Sequence, residues 1–265
     1  MTNTALPQQK RAEPKTDAGV AIEIDTVSKV YGRRSNRLLA LDKVSLTAQS
    51  GEFVCILGAS GCGKSTMLSL VAELDEVSGG TINTHDQNVA MMFQEPALFP
   101  WLTVSGNIEI ALRHQEPNRA ARRERAAELL ETVRLSEFGN KRPHELSGGM
   151  RQRTALARSL AQDASILLMD EPFGALDAMT RDILHDELER IWRERKLTVL
   201  FVTHNVREAV RLGDRVVLMS SRPGRIIEEF KVEHPRPRRI DSPEVSTLAA
   251  SITDQLRDEV SRHAH

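Results

Sequence analysis

Phe53-Val54-Cys55-Ile56-Leu57-Gly58-Ala59-Ser60-Gly61-Cys62-Gly63-Lys64-Ser65-Thr66 is the stretch whose reading decides the fold. Its first five residues form a short continuous apolar run ending at a glycine, which suits a strand buried on both faces of a parallel sheet. The next nine match G-x-x-x-x-G-K-[ST] and lead into a helical stretch, the strand–loop–helix context that this motif requires. The glycines let backbone N–H groups curl around an anion, and the helix that follows adds N-terminal donors and the positive end of its dipole. Lys64 supplies a mobile positive charge for β- and γ-phosphates, and Ser65 offers a hydroxyl to Mg²⁺. Cys62 lies inside the loop, where a tolerated small side chain is a simpler reading than a redox role.

Outward from the loop, strand-like runs cover Ile22 to about Tyr31 and about Leu41 to Ala48, joined by a polar turn from Gly32 to Asn36. The middle of the chain turns helical. Asn118 to about Leu135 is rich in Arg, Ala, Glu and Leu, with Asn118 placed to cap it, and a second helix is expected from near Gly148 to about Ala161. Strands then resume at Ile166–Met169, Thr198–Val202 and Arg215–Met219, separated by helical patterns near 179–195 and 205–212. Such alternation predicts an α/β fold of parallel βα units. Leu184, Leu188 and Ile191 form a helical stripe expected to be buried beside Trp192, and Met91, Met92, Met169 and Cys55 are expected in the core. Pro235 and Pro237 are expected to end the compact part, followed by an amphipathic helix from about Ser242 to His263.

Composition narrows the functional classes. The chain has 265 residues, with 36 basic and 37 acidic side chains, for a net charge of −1. That balance argues against a dedicated nucleic-acid binder. Arg119, Arg122, Arg123 and Arg125 alternate with Glu124 and Glu128, the pattern of a solvated helix face. No apolar run is long enough to span a bilayer, and residues 1–19 are polar and read as a flexible tail with no secretory h-region. Two cysteines imply no disulfide framework. The histidines at 85, 114, 144, 185, 234, 263 and 265 show no metal-ligand spacing.

A second chemical signal is Ile166-Leu167-Leu168-Met169-Asp170-Glu171, an apolar strand ending in two carboxylates. Ligands in open α/β sheets sit outside the carboxyl ends of the strands, so both acids are expected at the phosphate edge. There Asp170 would hold Mg²⁺ and Glu171 would orient or deprotonate an attacking water.

Leu146-Ser147-Gly148-Gly149-Met150-Arg151-Gln152-Arg153 resembles the signature motif of ABC-type ATPases. The rest of that family's set follows in order. Gln94, after the strand-like Val89 to Phe93, resembles the Q-loop; Ala175-Leu176-Asp177 resembles the D-loop; His204, after Leu200-Phe201-Val202-Thr203, resembles the switch histidine. Tyr31, the only tyrosine, resembles the aromatic residue that stacks on adenine. The resemblance covers about residues 22–232. Phe99-Pro100-Trp101-Leu102-Thr103-Val104, Met150 and Ser221-Arg222-Pro223-Gly224-Arg225-Ile226 are similar to the nitrate/sulfonate/taurine branch of importer ATPases. Glu73 and Val77 depart from it, at positions where relatives often carry glycine and proline.

The resemblance implies a P-loop ABC ATPase core with a mostly parallel central sheet, an antiparallel β subdomain and an inserted α-helical subdomain over about 95–160. The tail would occupy 1–19, the ATPase domain 20–232, and an extension with a helix 233–265. It implies ATP and Mg²⁺, held by Tyr31, Gly58, Ala59, Ser60, Gly61, Cys62, Gly63, Lys64, Ser65 and Thr66, with Ser65, Gln94 and Asp170 at the metal. Glu171, His204 and Gln94 would serve hydrolysis. Ser147, Gly148, Gly149 and Asp177 would meet the nucleotide of a second, head-to-tail copy. Further implied partners are integral-membrane permease subunits and an extracytoplasmic binding protein, which would place the chain peripherally on the cytoplasmic face of the membrane. The alternative is a soluble ABC ATPase acting on nucleic acid or ribosomes; a P-loop small-molecule kinase would have no reason to carry the signature or His204.

Overall fold

The chain runs β1 (Val20–Tyr31), β2 (Leu38–Gln49), β3 (Phe53–Leu57), α1 (Lys64–Val71), β4 (Gly79–Asn83), β5 (Val89–Met92), α2 (Val104–Ala111), α3 (Arg119–Thr132) and α4 (Gly148–Leu160). It continues through β6 (Ile166–Asp170), α5 (Ala178–Arg195), β7 (Thr198–Thr203), α6 (Val206–Leu212), β8 (Arg215–Met219), β9 (Ile226–Lys231) and α7 (Pro243–Arg262). The computed structural model describes residues 19–32 and 36–262. The tail expected over 1–19 lies outside the described residues except for Gly19, as does most of the expected turn at 32–36.

A six-stranded sheet has the order β5-β6-β7-β3-β8-β9, parallel throughout except for the β8–β9 edge pair. A separate antiparallel sheet has the order β2-β1-β4. The period of two along each central strand divides the apolar residues between two cores. Phe53, Cys55 and Leu57 face one core with Leu167, Met169, Val199, Phe201, Val216 and Leu218. Val54 and Ile56 face the other with Ile166, Leu168, Leu200, Val202, Val217 and Met219. The first core is closed by the helical block α2–α4, by α5 and by α6. The second is closed by α1 and by the antiparallel sheet, through residues such as Met67, Leu68, Ile22 and Ile24. Burial on both faces is why these strands read as continuous apolar runs.

Local signals set the helix ends. Asn118 accepts from the Ala120 and Ala121 amides, Ser147 from Met150 N, Asp177 from Thr180 N and Asn205 from Glu208 N. Each such side chain satisfies donors that a helix N-terminus leaves free. Leu184, Leu188 and Ile191 are buried as the stripe predicts, and Trp192 beside them donates its indole N–H to Gly51 O at 3.1 Å.

The packed part extends past Pro235 and Pro237, contrary to the sequence expectation. Buried Arg238 donates to the carbonyls of Val210, Gly213, Val232 and His234, so it caps the C-terminal end of α6. Burial lowers its pKa to about 10, which still leaves the guanidinium charged at neutral pH. Arg236 pairs with Asp214 and lies 4.5 Å from the Trp192 ring centroid. Beyond this strap, Val245, Ala249 and Ile252 on one face of α7 join the first core. Main-chain acceptors at the end of a helix recruited the arginines; proline spacing alone does not reveal that.

Candidate functional site

The parallel register of β3 with β7 and β8, and of β6 with β7, brings the carboxyl ends of these strands to one edge. There the loop 58–66 wraps toward α1, with Gly61 and Gly63 at φ +76° and +101°. A cavity of about 410 Å³ opens at this edge. It is lined by Ser60, Gly61, Gly63, Lys64, Ser65 and Thr66 from the loop, and by Tyr31, Gln94 and Glu171. Leu38, Ala40 and Arg222 complete the lining.

Lys64 is buried, and its Nζ donates to the carbonyls of Gly58 at 2.8 Å and Ala59 at 3.0 Å. The same ammonium stands 4.0 Å from Glu171 Oε1. Glu171 follows β6 with φ +43°, and its amide donates to Val202 O of β7 at 3.0 Å. A non-glycine residue held in the left-handed region costs about 1–3 kcal/mol and is found where surrounding structure over-determines it. The turn aims the carboxylate sideways: Oε2 lies 2.8 Å from Nδ1 of exposed His204. One carboxylate therefore bridges the phosphate-loop lysine and the histidine that follows β7.

Asp170, one residue earlier, has the Ser65 hydroxyl near enough to favour its ionised form. Burial raises its carboxyl pKa first, and the charge of Glu171 adds to the rise. Ser65 and Asp170 offer hard oxygen donors side by side, and Gln94 lines the same cavity. This donor set fits Mg²⁺, which takes one or two protein oxygens and completes its shell with phosphate and water. Among the described residues no group of three or more His, Cys, Asp and Glu side chains could hold a metal by itself, and an all-protein cage is not what Mg²⁺ at a nucleotide needs.

At the other end of the cavity, the Tyr31 hydroxyl donates to Asp75 Oδ2 at 2.9 Å. Lys29 donates to Asp75 Oδ1 at 2.6 Å, and its Nζ lies 4.9 Å from the Tyr31 ring centroid. The ring is thereby held in place with a cation against it. Gln94 is tied to the helical block: its carbonyl accepts from Nε2 of buried Gln152, on α4, at 3.0 Å. Cys62 and Cys55 are buried free thiols whose pKa burial raises, the unreactive state for cysteine.

Behind His204 sits a buried polar network. Glu208 Oε1 lies 2.6 Å from His185 Nε2, and its other oxygen accepts from Thr203 Oγ1. Arg211 Nη1 lies 3.0 Å from His185 Nδ1, and Arg211 also pairs with Asp182 and Asp186. His185 is thus a satisfied interior histidine rather than a ligand.

Four of the anticipated residues stand elsewhere. Ser147 and Asp177 cap α4 and α5, and neither they nor Gly148 and Gly149 line the cavity. A Cβ on Gly148 would lie 3.1 Å from Leu176 Cδ2, and one on Gly149 would lie 2.5 Å from Thr180 Cγ2. The two helix N-termini thus pack into one patch, away from Lys64's cavity. Sequence reading also missed Leu38, Ala40, Lys29, Asp75 and Arg222. Arg222 lay within a noticed motif, and Gln152 within the signature; nothing local marks Asp75 as a partner of Tyr31.

A phosphate loop, a carboxylate pair, a strand-end histidine and a helical insertion define a nucleotide-hydrolysing cassette. The sequence pattern described as ABC transporter matches residues 41–174. The aliphatic sulfonates import ATP-binding protein SsuB of Bacillus licheniformis is 42% identical over 89% of this chain and 94% of its own. The nitrate import ATP-binding protein NrtD of Synechocystis sp. is 44% identical over 81% of this chain and 83% of its own. The solved dimeric post-hydrolysis state of the ATP-binding cassette MJ0796, bound to ADP and Pi, superposes with a TM-score of 0.72. It is 33% identical and covers 81% of this chain and all of that one. This chain belongs to the ABC transporter family, as an ATP-binding ATPase component.

Proposed function

We propose that the chain is the ATP-hydrolysing subunit of an importer for a small anion of the nitrate, sulfonate or taurine type. Separate permease subunits span the membrane, an extracytoplasmic binding protein delivers the anion, and this chain sits peripherally on the cytoplasmic face. No helix among the described residues is long and apolar enough to cross a membrane, in keeping with that division of labour. Exposed Trp101 and Phe93, beside the helical block, are suited to meet a permease loop.

In this reading Tyr31 stacks on adenine, Gly58 to Thr66 cradle the phosphates, and Lys64 turns from the Gly58 and Ala59 carbonyls to the β/γ-phosphates. Bound Mg²⁺, held through Ser65, Asp170 and Gln94, supplies charge neutralisation of the phosphates. Glu171 takes a proton from water as the water oxygen bonds the γ-phosphorus and the bridging P–O bond breaks. His204, on the other carboxylate oxygen, holds Glu171 in line and reaches the γ-phosphate. A second copy brings Ser147, Gly148, Gly149 and Asp177, so that the α4 N-terminus meets the γ-phosphate with free N–H donors.

The observation that carries this reading is Glu171, placed between Lys64 and His204 in the phosphate-loop cavity. Its test is Glu171→Gln. A general base contributes about 10²–10⁴-fold in rate. The variant should bind ATP as the wild type does, lose turnover by a factor of that order, and elute as an ATP-bound dimer in size-exclusion chromatography. Unchanged turnover removes Glu171 from this role. The anion is tested by deleting the gene and asking which of nitrate, taurine or an alkanesulfonate no longer supports growth as a sole nitrogen or sulfur source. Co-purification with ribosomes or DNA instead of a permease would favour the soluble alternative.

A further inference from the structure

The loop joining β8 to β9 leaves the sheet beside the phosphate loop, because β8 pairs with β3 up to Leu57 and Leu218. It is pinned from both sides. Gly224 N donates to Ala40 O at 2.9 Å, and Asp42 N donates to Gly224 O at 3.0 Å. Ser220 Oγ donates to Pro223 O at 2.7 Å and accepts from Arg225 N at 2.9 Å. A Cβ on Gly224 would fall 2.1 Å from the Cys62 carbonyl oxygen, so the two loops are in main-chain contact and only glycine fits there.

This pinned loop carries Arg222 into the lining of the nucleotide cavity, between Ala40 and Gly61. Arg222 Nε donates to the Gly61 carbonyl at 2.8 Å, and the guanidinium lies over that residue, where a Cβ would be 2.7 Å from Nη2. Nη1 and Nη2 make no hydrogen bond or ion pair among the described residues. Lys64 and Arg222 are the cations in the lining, and Lys64 is already tied to two carbonyls and near Glu171. A guanidinium fixed at Nε, with both terminal groups unengaged, is suited to bidentate binding of phosphate oxygens.

We propose that Arg222 is a nucleotide-binding residue, its Nη1 and Nη2 donating to phosphate oxygens of the bound nucleotide while Nε stays on Gly61. This rests on the nucleotide reading of the cavity. The test is calorimetric titration of the full chain with ADP, with Mg²⁺ present, over a range of salt concentrations. A charge-assisted hydrogen-bonding pair corresponds to about a tenfold change in Kd. Arg222→Gln should weaken ADP by about that factor and flatten the dependence of log Kd on log salt. Arg222→Lys should restore the salt dependence and part of the affinity. Lys231→Gln, which removes a charge outside the cavity, should change neither. Wild-type affinity and salt dependence in Arg222→Gln would overturn the proposal. So would an equal loss in the Gln and Lys variants with the wild-type salt dependence, since that marks a support for the Gly61 carbonyl alone. A wild-type chain that binds no ADP at all would sink the nucleotide reading and this proposal with it.

Discussion

Asp170 illustrates the conflict between burial and chemistry at a single residue. Its folded pKa is raised by burial, so its ionised form is destabilised by folding. A carboxyl whose folded pKa lies above its unfolded one favours the fold below the unfolded pKa, and that benefit is lost as pH rises through the folded value. At pH 7 the ionised Asp170 therefore weakens the fold. Asp170→Asn is expected to melt above the wild type at pH 7 by scanning fluorimetry, and the gap should close as pH falls below about 4, near the ordinary aspartate pKa. The same variant should lose ATPase activity. A wild type melting higher at pH 7 would contradict the assignment. Most residues of the cavity were legible because they lie in contiguous motifs whose chemistry is local: the loop 58–66, and the two acids where β6 ends. Arg222 and Asp75 were not, because their roles come from contacts made across the fold. Glu73 is legible only in hindsight. It adopts φ +56°, a conformation that glycine takes without steric penalty, which gives a physical reason for the glycine that the resemblance leads one to expect there.

Among elements, those with full burial were the easiest to read. β3, β6, β7 and β8 announced themselves as apolar runs, and the α5 stripe kept helical spacing. β4 is Gly-Gly-Thr-Ile-Asn, β9 carries two glutamates, and both lie at sheet edges, so neither has the apolar pattern of a central strand. Short α2 contains Gly106 and β-branched residues, and its start depends on Thr103 accepting from Gly106 N. The docking of α7 was hidden for a different reason. Its amphipathic stripe is visible in sequence, but its partner surface is created by α6 and by the arginine strap. Ile252 is fully buried there. Ile252→Ala is expected to cost about 2–5 kcal/mol in urea unfolding monitored by circular dichroism. An effect below about 0.5 kcal/mol, the range of neutral surface changes, would mean that α7 does not stay docked in solution.

For the whole molecule, the decisive fact is that the Lys64 cavity and the Ser147–Asp177 patch are separate places on one chain. If two copies complete each other's sites, inactive variants should complement. Lys64→Ala disables the cavity of its own copy, and Ser147→Arg disables the patch it presents to another. Each variant alone should be inactive. Their mixture should regain ATPase activity, because a mixed pair holds one intact cavity facing one intact patch. A mixture as inactive as its components would exclude shared sites. Specific activity of the wild type should also rise with protein concentration. The proposed seam is legible in sequence as motif order; the fold adds that Ser147, Gly148, Gly149 and Asp177 do not line the cavity of their own copy.

β3 leaves no slack between structure and chemistry. Leu57 is fully inside, Gly58 already gives its carbonyl to Lys64, and each side chain before it belongs to one of two different interiors. Adding one residue within this strand would reverse the facing of every residue on one side of the insertion, so that Leu57, for example, would turn toward the compartment shaped for Val54 and Ile56. The same edit would slide the turn that follows out of step with α1. Spacing from Phe53 to Lys64 is thus as much an ingredient of the site as any side chain in it, and insertions in the chain can be accommodated only outside that interval.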